Sequence, residues 1–261
     1  MGKIYMTACM KGGCAKTVTT YNLAYSLKEL GKKVLCVDFD SQANLSTCFG
    51  VENPVAVPVT IGHLMMAQID DDELPGFKEY IQSRNGVDFI SSSMMLSAVD
   101  AKLRLEMGAE KMLSEILEPL RDRYDAIIID CMPSLGMITI NALAASDEVL
   151  IPVEASYLPI KGLQQLLKTI GKVRKQINPK LQVGGILFTM VDAHTNDARN
   201  NMELLRNVYG SQIHIFDNYI PFSVRMKEAV REGQSIFSYD PKGKATEAYR
   251  RVTEEVLKDA I

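Results

Sequence analysis

The chain is constrained most by one short segment, MKGGCAKT at residues 10–17, which joins an apolar run to a helical pattern. Glycines such as Gly12 and Gly13 allow tight turns, so that successive backbone N–H groups can point at phosphate oxygens. The start of a helix adds a positive dipole. A lysine in this place reaches the outer phosphates, and a threonine hydroxyl ligates Mg²⁺. The segment therefore predicts a phosphate-binding loop in which Lys16 and Thr17 have these two roles.

Two residues depart from the general pattern G-x-x-x-x-G-K-[ST], because Met10 stands at the first glycine position and Ala15 at the second. The backbone curls around the phosphates at Ala15, where glycine is usual since it tolerates a positive φ. If φ is positive there, the alanine methyl costs about 1 kcal/mol, which is roughly a fivefold loss of affinity. We therefore expect phosphate binding to survive, with a slightly loosened loop.

Short apolar, β-branched runs alternate with longer amphipathic stretches along the chain. The predicted strands cover residues 3–9, 33–38, 87–91, 126–130, 148–153 and 181–190, and the predicted helices cover 16–30, 94–121, 135–145, 158–177, 196–209 and 244–259. Such alternation is typical of a doubly wound α/β fold, with a mostly parallel sheet flanked by helices. Acidic residues 70–73, followed by Pro75 and Gly76, predict a surface loop. Since no repeat or long linker interrupts the pattern, we expect a single domain over 1–261.

Two of the predicted strands run into carboxylates, which places Asp38, Asp40 and Asp130 at their carboxyl ends. In a parallel sheet these ends form the ligand-binding edge. An aspartate after the apolar run AIIID at 126–130 is suited to bind magnesium, often through water. Side-chain alternation puts Asp38 and Asp40 on the same side, so Asp38 supports either Mg²⁺ or the adjoining loop.

Three segments resemble the ParA/MinD family of P-loop ATPases. KGGCAKT at 11–17 is similar to the deviant Walker A signature K-G-G-x-G-K-[ST]. DFDSQAN at 38–44 is similar to the family's D-x-D-P-Q-x-N, with Ser41 in place of proline, and DCMPSLG at 130–136 is similar to D-C-P-P-S-L-G, with Met132 in place of proline. The resemblance continues over nearly the whole chain and is strongest to the short, Soj-like branch.

The resemblance implies a P-loop NTPase fold of the deviant Walker A type, with ATP and Mg²⁺ as cofactors. It implies that Lys11 reaches across a dimer interface to the partner's nucleotide, and that Asp40 positions the hydrolytic water. With Lys16, these are the expected catalytic residues. The expected nucleotide contacts are Lys11, Gly12, Gly13, Cys14, Ala15, Lys16, Thr17 and Val18 in the loop, and Thr189, Met190 and Pro221 near the base. The expected metal site comprises Thr17, Asp38 and Asp130.

Charge is distributed unevenly. The net charge of −3 divides into −8 for residues 1–160 (13 Lys/Arg, 21 Asp/Glu) and +5 for residues 161–261 (16 Lys/Arg, 11 Asp/Glu). A basic C-terminal third either faces an anionic polymer or consists of solvated helix faces. The family's DNA-contacting segment I-P-R-N-V-R reads IPFSVR at 220–225 here, which keeps Arg225 but has phenylalanine at the first arginine. DNA contacts are therefore expected at Arg225, Lys227 and Arg199.

The resemblance implies a weak, partner-stimulated ATP hydrolase of the cytoplasm. It would dimerise with ATP, bind DNA without sequence preference and respond to a ParB-like centromere-binding protein, to segregate chromosome, plasmid or mobile-element DNA. One alternative is a MinD-like regulator at a membrane, which needs a basic amphipathic C-terminal helix, whereas acids offset the bases of 247–261. The others are a degenerate regulatory switch with little turnover and a metabolic or redox member of the superfamily.

The cysteines and histidines favour neither a metal centre nor a disulfide framework. The five cysteines, Cys9, Cys14, Cys36, Cys48 and Cys131, form no CxxC pair, and the odd count predicts reduced thiols. The three histidines show no metal-ligand spacing. We therefore expect no zinc or iron–sulfur site. No apolar run approaches the roughly 18–20 residues that span a bilayer, so no membrane partner is expected.

Overall fold

The computed structural model describes residues 1–155 and 160–258. Within them, the strands are β1 Lys3–Thr7, β2 Val34–Phe39, β3 Ile81–Arg84, β4 Val87–Ile90, β5 Ala126–Cys131, β6 Glu148–Glu154 and β7 Gln182–Thr189. They form one sheet in the order β3-β4-β2-β5-β1-β6-β7. Every neighbouring pair is parallel except β3 and β4, which pair antiparallel at one edge. The predicted fold class is therefore confirmed.

Helices cover both faces of this sheet. They are α1 Lys16–Glu29, α2 Asn44–Cys48, α3 Ile61–Ile69, α4 Phe77–Tyr80, α5 Met95–Leu103, α6 Met112–Leu117, α7 Met137–Ala145, α8 Ile160–Gln176, α9 Asn196–Tyr209, α10 Val224–Arg231, α11 Ile236–Tyr239 and α12 Lys244–Lys258. Short 3₁₀ turns lie at Pro54–Ala56, Ala109–Lys111 and Glu118–Leu120. One apolar core lies between the sheet and α3 and α5–α9, and a second lies between the sheet and α1, α2 and α10–α12.

The central strands are apolar throughout because both of their faces are buried. In β5, Ile127 and Ile129 belong to the first core, whereas Ala126 and Ile128 belong to the second. All four are at most 4% exposed. An uninterrupted apolar run of this kind is consequently stable only between two layers of helices, which is what its sequence predicted.

One prediction of local structure was wrong, and among the described elements the sequence did not predict β3 or the five helices α2, α3, α4, α10 and α11. The helix predicted over 94–121 is broken into α5, α6 and two 3₁₀ turns, because Gly108 has a left-handed backbone (φ 69°) and Pro119 follows α6. The edge strand β3 was missed, although Asn85 and Gly86 form its turn to β4 with positive φ at both residues. An Asn-Gly pair is the usual sequence of such a turn. The ends of the predicted helices at 158–159 and 259 lie outside the described residues.

Sheet order brings three strand ends together. Because β5 lies between β2 and β1, Asp130 is in register with Thr7 of β1 and with Asp38 of β2. Beyond Thr7 the chain leaves the sheet and enters the glycine-containing loop that ends at α1. The two strand-end carboxylates and the loop therefore share one edge of the sheet, at the place where parallel α/β sheets bind ligands.

Helix α1 is fixed to the C-terminal part of the chain by a buried amide. The side-chain amide of Asn22 donates to the carbonyl of Val18 at 2.9 Å, and its Oδ1 accepts from the backbone N–H of Ile236 at 2.9 Å. Asn22 is 0% exposed. Since α1 begins at the loop, this bond connects the loop's helix to α11, which is more than two hundred residues later in the chain.

We expect Asn22→Ala to lower the free energy of unfolding by about 1–3 kcal/mol, because it leaves the buried N–H of Ile236 without its acceptor. Urea denaturation followed by circular dichroism measures the change. Asn200→Ala, on the exposed face of α9, is the matched control and should shift stability by no more than about 0.5 kcal/mol. Equal losses in the two variants would contradict the anchoring role of Asn22.

Candidate functional site

The loop between β1 and α1 has left-handed backbone at two residues, Gly13 (φ 86°) and Ala15 (φ 61°, ψ 28°). The sequence predicts strain at Ala15 if its φ is positive, and the structure has this conformation. A positive φ costs an L-residue about 1 kcal/mol. Ala15 is also the N-cap of α1 and supplies no side-chain acceptor. The first backbone N–H groups of α1 are therefore available to an anion at the positive end of the helix dipole.

Lys16 and Thr17 converge on the carboxylate of Asp130. The Thr17 hydroxyl donates to Asp130 Oδ2 at 2.6 Å, and Lys16 Nζ lies 3.9 Å from Asp130 Oδ1. Asp130 is 0% exposed, and within the described residues its Oδ1 accepts no hydrogen bond. Burial raises the pKa of Asp130, while the Lys16 ammonium and the Thr17 hydroxyl oppose that rise.

This donor set fits a magnesium ion. A buried carboxylate oxygen without a donor is unfavourable, and a divalent cation beside it would supply the missing interaction. Mg²⁺ prefers hard oxygen ligands such as the Thr17 hydroxyl and the Asp130 carboxylate, and completes its shell with phosphate oxygens and water. The geometry therefore places Thr17 and Asp130, two of the three predicted metal residues, side by side.

Asp38, the third predicted metal residue, accepts hydrogen bonds from the segment that follows β2. Its Oδ2 accepts hydrogen bonds from the backbone N–H and the hydroxyl of Ser46, both at 2.7 Å, and its Oδ1 accepts from the N–H of Asp40 at 3.3 Å. Burial, followed by the charge of Asp130, raises the pKa of Asp38 to about 7, and the bonds from Ser46 oppose the rise. These contacts give Asp38 the loop-supporting role that the sequence allowed, and its metal role stays a prediction.

Asp40 faces the same cavity as the loop. The cavity has a volume of about 490 Å³ and is lined by every loop residue from 12 to 18, by Asp40 and by Met190, among others. Asp40 is only 6% exposed, and its Oδ1 accepts from the backbone N–H of Gln42 at 3.0 Å, which fixes the carboxylate. The residues predicted for the phosphates and for hydrolysis, apart from Lys11, thus surround one space.

Lys11 points to a different side of the loop. Its Nζ lies 3.3 Å from Glu154 Oε2 at the end of β6, and both side chains are partly exposed, at 39% and 24%. The two residues line a separate small cavity together with Leu163 of α8. The two lysines of the loop therefore have different surroundings, with Lys16 buried against Asp130 and Lys11 near the surface.

A second, largely apolar cavity of about 270 Å³ adjoins the first, with which it shares Ala15 and Met190. Met190 and Pro221, both predicted for the base, line it. Thr189 lies beneath the loop instead, where its hydroxyl donates to the carbonyl of Cys14 at 3.1 Å. Val18 and Lys227, predicted for the phosphate loop and for DNA, also line this cavity, and sequence reasoning missed the rest of its wall, which is made by Ile220, Phe222, Ser223, Met226, Val230 and Tyr249. The helical periodicity over 224–231 was the available signal.

The prediction of reduced thiols was wrong for two of the five cysteines. Cys9 and Cys14 form a disulfide with a Cα–Cα distance of 7.0 Å, whereas Cys36, Cys48 and Cys131 are free and buried. The spacing of the pair matches no sequence motif used for disulfides. The loop turns back between them, and only this turn brings the two sulfur atoms together.

The three cations predicted to contact DNA lie on two helices. Arg225 and Lys227 are on α10, and Arg199 is on α9, where its Nε donates to the carbonyl of Ala193 at 2.9 Å. Arg225 is 64% exposed and lies 3.8 Å from Glu228. Lys227 Nζ is 4.8 Å from the ring centre of Phe222 and lines the apolar cavity. The structure thus brings two of the three together.

Comparison with known proteins agrees with this geometry. A family model described as an AAA domain matches residues 2–183. The sporulation initiation inhibitor protein Soj of Bacillus subtilis is 37% identical over 256 residues, which covers 98% of both chains. The chromosome partitioning protein ParA of Myxococcus xanthus is 36% identical over 260 residues, covering 99% of this chain and 89% of that protein.

A solved structure with the same fold contains nucleotide and metal. It is cobyrinic acid a,c-diamide synthase of Mycobacterium smegmatis with bound ADP and magnesium, which is 28% identical, has a TM-score of 0.85 and aligns over 99% of this chain and 95% of its own. The sequence relatives cover nearly the full length and carry the names of partition proteins. The chain therefore belongs to the ParA/MinD family of P-loop ATPases.

Proposed function

We propose that this ParA-type ATPase binds Mg-ATP, pairs with a second copy in the ATP state and, as that dimer, binds DNA non-specifically to segregate it. The observation that carries the proposal is the convergence of Lys16 and Thr17 on the buried carboxylate of Asp130, where Thr17 donates to Oδ2 and Lys16 lies 3.9 Å from Oδ1, directly after a loop with a second lysine. The partition names of the full-length relatives support the cellular role.

In this proposal the loop's N–H groups and the start of α1 bind the phosphates, and Lys16 neutralises the charge of the outer ones. Mg²⁺, held by Thr17 and Asp130, would offset the charge on the phosphate oxygens during hydrolysis. Asp40, fixed by its bond from Gln42, orients a water for attack on the terminal phosphorus. The adjoining apolar cavity, with Met190 and Pro221 in its wall, takes the base.

Pairing of two copies is proposed through Lys11. Its contact with Glu154 is a partly exposed ion pair of the kind that contributes about 0–1 kcal/mol, so a triphosphate presented by a second copy can replace it. Hydrolysis would remove the terminal phosphate of that nucleotide, and the dimer would dissociate. A ParB-like partner would stimulate this step, which makes the unassisted ATPase weak. A ligand shifts such an equilibrium only by binding one state better than the other.

DNA binding is proposed on the basic C-terminal third, with Arg225, which is 64% exposed, as its central contact. Cations that contact phosphates release counterions, which gives binding without sequence preference and a steep dependence on salt. The net charge of +5 over residues 161–261 supports this placement.

The alternative of a membrane-cycling regulator has less support. In α12 the apolar stripe containing Tyr249, Val252 and Val256 is buried at 2% exposure or less, so it is not available to a membrane. It packs in the core that also includes α1. Across the described residues, no helix has both the length and the apolarity needed to cross a bilayer. A regulator with little turnover is favoured by one observation, the left-handed Ala15 in the phosphate loop.

Size-exclusion chromatography with light scattering tests the proposal, on protein with Mg-ADP and with a non-hydrolysable Mg-ATP analogue. We expect a monomer in the first case and a dimer in the second. A gel-shift assay on both samples with double-stranded DNA of unrelated sequences should then give binding with the dimer alone. A protein that binds nucleotide but neither dimerises nor binds DNA would favour the regulator.

We expect Ala15→Gly to bind Mg-ATP as tightly as the natural protein or up to about fivefold more tightly, because it relieves the positive-φ strain of the methyl. Titration calorimetry measures the affinity. Lys16→Ala is the comparison variant in which binding should be lost. It removes the lysine that lies beside Asp130 and should abolish tight binding of Mg-ATP. Wild-type affinity in Lys16→Ala would remove this lysine from the site. Binding seen only after Ala15→Gly would identify a degenerate family member.

Lys11→Ala and Asp40→Ala should have opposite effects on the dimer. We expect Lys11→Ala to bind nucleotide but remain monomeric with ATP, because the cross-subunit contact is lost. Asp40→Ala should accumulate the ATP-bound dimer, since water activation is lost while the phosphate cradle remains. Light scattering and phosphate release measure both effects. An ATP-dependent dimer of Lys11→Ala, or full ATPase activity of Asp40→Ala, would refute the corresponding role.

We expect Arg225→Ala to weaken DNA binding by the ATP-bound dimer and to lower the slope of log K against log salt by about 1, the loss of one phosphate contact. Arg104→Ala is the matched control, because Arg104 is also 64% exposed and also pairs with an acid on its own helix. It lies in the acidic part of the chain and should leave the slope unchanged. Equal slopes for both variants would place the DNA contact elsewhere.

A further inference from the structure

The disulfide between Cys9 and Cys14 closes a ring around residues 10–13 of the phosphate loop. Both cysteines are buried, at 7% and 3% exposure, whereas Gly12 and Gly13 inside the ring are exposed. Lys11, the lysine that distinguishes this family's loop, is also inside the ring. The residues that contact Asp130, Lys16 and Thr17, follow the ring and are outside it.

Both ends of the ring are attached to the sheet. On the N-terminal side, the N–H of Ala8 donates to the carbonyl of Leu150 in β6 at 3.0 Å. On the C-terminal side, the carbonyl of Cys14 accepts from the hydroxyl of Thr189 in β7 at 3.1 Å. A cross-link between two anchored points removes most of the conformations open to the residues between them. While the bond is intact, the backbone of Lys11 is therefore held beside β6.

The bond affects the two lysines of the loop differently. With the bond present, Lys16 and Thr17 still meet Asp130, so the phosphate cradle is compatible with the disulfide. Lys11 is turned towards Glu154 of its own chain. This ion pair is partly exposed and weak, so it does not by itself hold Lys11 in place. The covalent ring adds a restriction of its own, because it limits the backbone positions of Lys11 and so the directions in which this side chain can reach a second copy.

We propose that Cys9 and Cys14 are a reversible thiol–disulfide pair that controls ATP-dependent self-association of this protein. The bonded form binds Mg-ATP as a monomer, and the dithiol form binds it and pairs. This inference rests on the proposed cross-subunit role of Lys11. It assigns a redox modification site to two cysteines of the loop, of which Cys14 also lines the phosphate cavity.

The chemistry requires a small-molecule disulfide as oxidant and a dithiol as reductant. One cysteine thiolate attacks the oxidant, R–S–S–R, to give a mixed disulfide and release one R–SH. The second cysteine displaces the other R–S group, so the protein loses two hydrogen atoms and the oxidant becomes two R–SH. A dithiol reverses both steps and is itself oxidised to a cyclic disulfide. Gly12 and Gly13, which lie between the two cysteines, are exposed and have no side chains, so the ring faces solvent on this side.

The test compares the full-length protein after oxidised glutathione and after dithiothreitol, each then removed. Counting thiols with a maleimide in denaturant should give three in the first sample and five in the second. With a non-hydrolysable Mg-ATP analogue, light scattering should show that dimerisation is at least about tenfold weaker in the oxidised sample, or about 1.4 kcal/mol. Titration calorimetry should give the same nucleotide affinity for both samples.

Cys9→Ser should dimerise equally after either treatment, because the ring cannot close. Cys36→Ala, which removes a buried thiol of β2 away from the loop, is the matched control and should keep the wild-type response. If Cys9→Ser does not fold, the two wild-type samples still decide the question. Five free thiols after oxidised glutathione would overturn the inference, as would loss of nucleotide binding in the bonded form.

Failure of the inference and failure of the proposed function give different results. Equal ATP-dependent dimerisation of samples with three and five thiols would overturn the redox control and leave the proposed function intact. A monomer in both samples, with nucleotide bound, would overturn the proposed function and the inference with it.

Discussion

The site depends on one buried carboxylate, Asp130, at the end of the strand that lies between β2 and β1. A carboxylate with no exposed surface is unfavourable unless cations and hydrogen-bond donors surround it. Lys16 and Thr17 supply part of that compensation, and a magnesium ion beside Oδ1, which accepts no hydrogen bond within the described residues, would supply the rest. The positions of the loop, of the start of α1 and of Asp40 are all consistent with the need to compensate the buried negative charge of Asp130.

The two cavities of the site are built from opposite ends of the chain. The phosphate side comes mainly from the first fifty residues, with Pro133 after β5, whereas the apolar side comes largely from residues 220–230 and Tyr249. Asn22 and the core shared by α1, α10, α11 and α12 hold these parts together. These packed and hydrogen-bonded elements connect the loop to α10, where Arg225 lies. This arrangement gives a physical route by which nucleotide could alter the DNA-binding surface in the proposed function.

The two lysines of the loop, Lys11 and Lys16, have separate proposed roles although they lie in one short segment. Lys16 follows the left-handed Ala15 and enters α1, so the helix fixes it. Lys11 lies in the ring closed by Cys9 and Cys14, so its freedom depends on a bond that redox conditions can break. A single loop can therefore keep its nucleotide cradle constant while the lysine proposed to contact a second copy is held or released.

The sequence by itself determined the fold class, the family and which predicted strands end in carboxylates. Apolar runs, strand-end carboxylates and the loop pattern are local features of the chain, so they can be recognised without the tertiary structure. It also predicted Lys16 for the outer phosphates and Thr17, Asp38 and Asp130 for one metal site. Only the tertiary structure decided that Ser46 and Asp40 occupy the oxygens of Asp38, that Thr189 lies under the loop, and that Cys9 meets Cys14. These contacts depend on how the backbone turns between residues and on which strands become neighbours, and neither is encoded by the spacing of residue types.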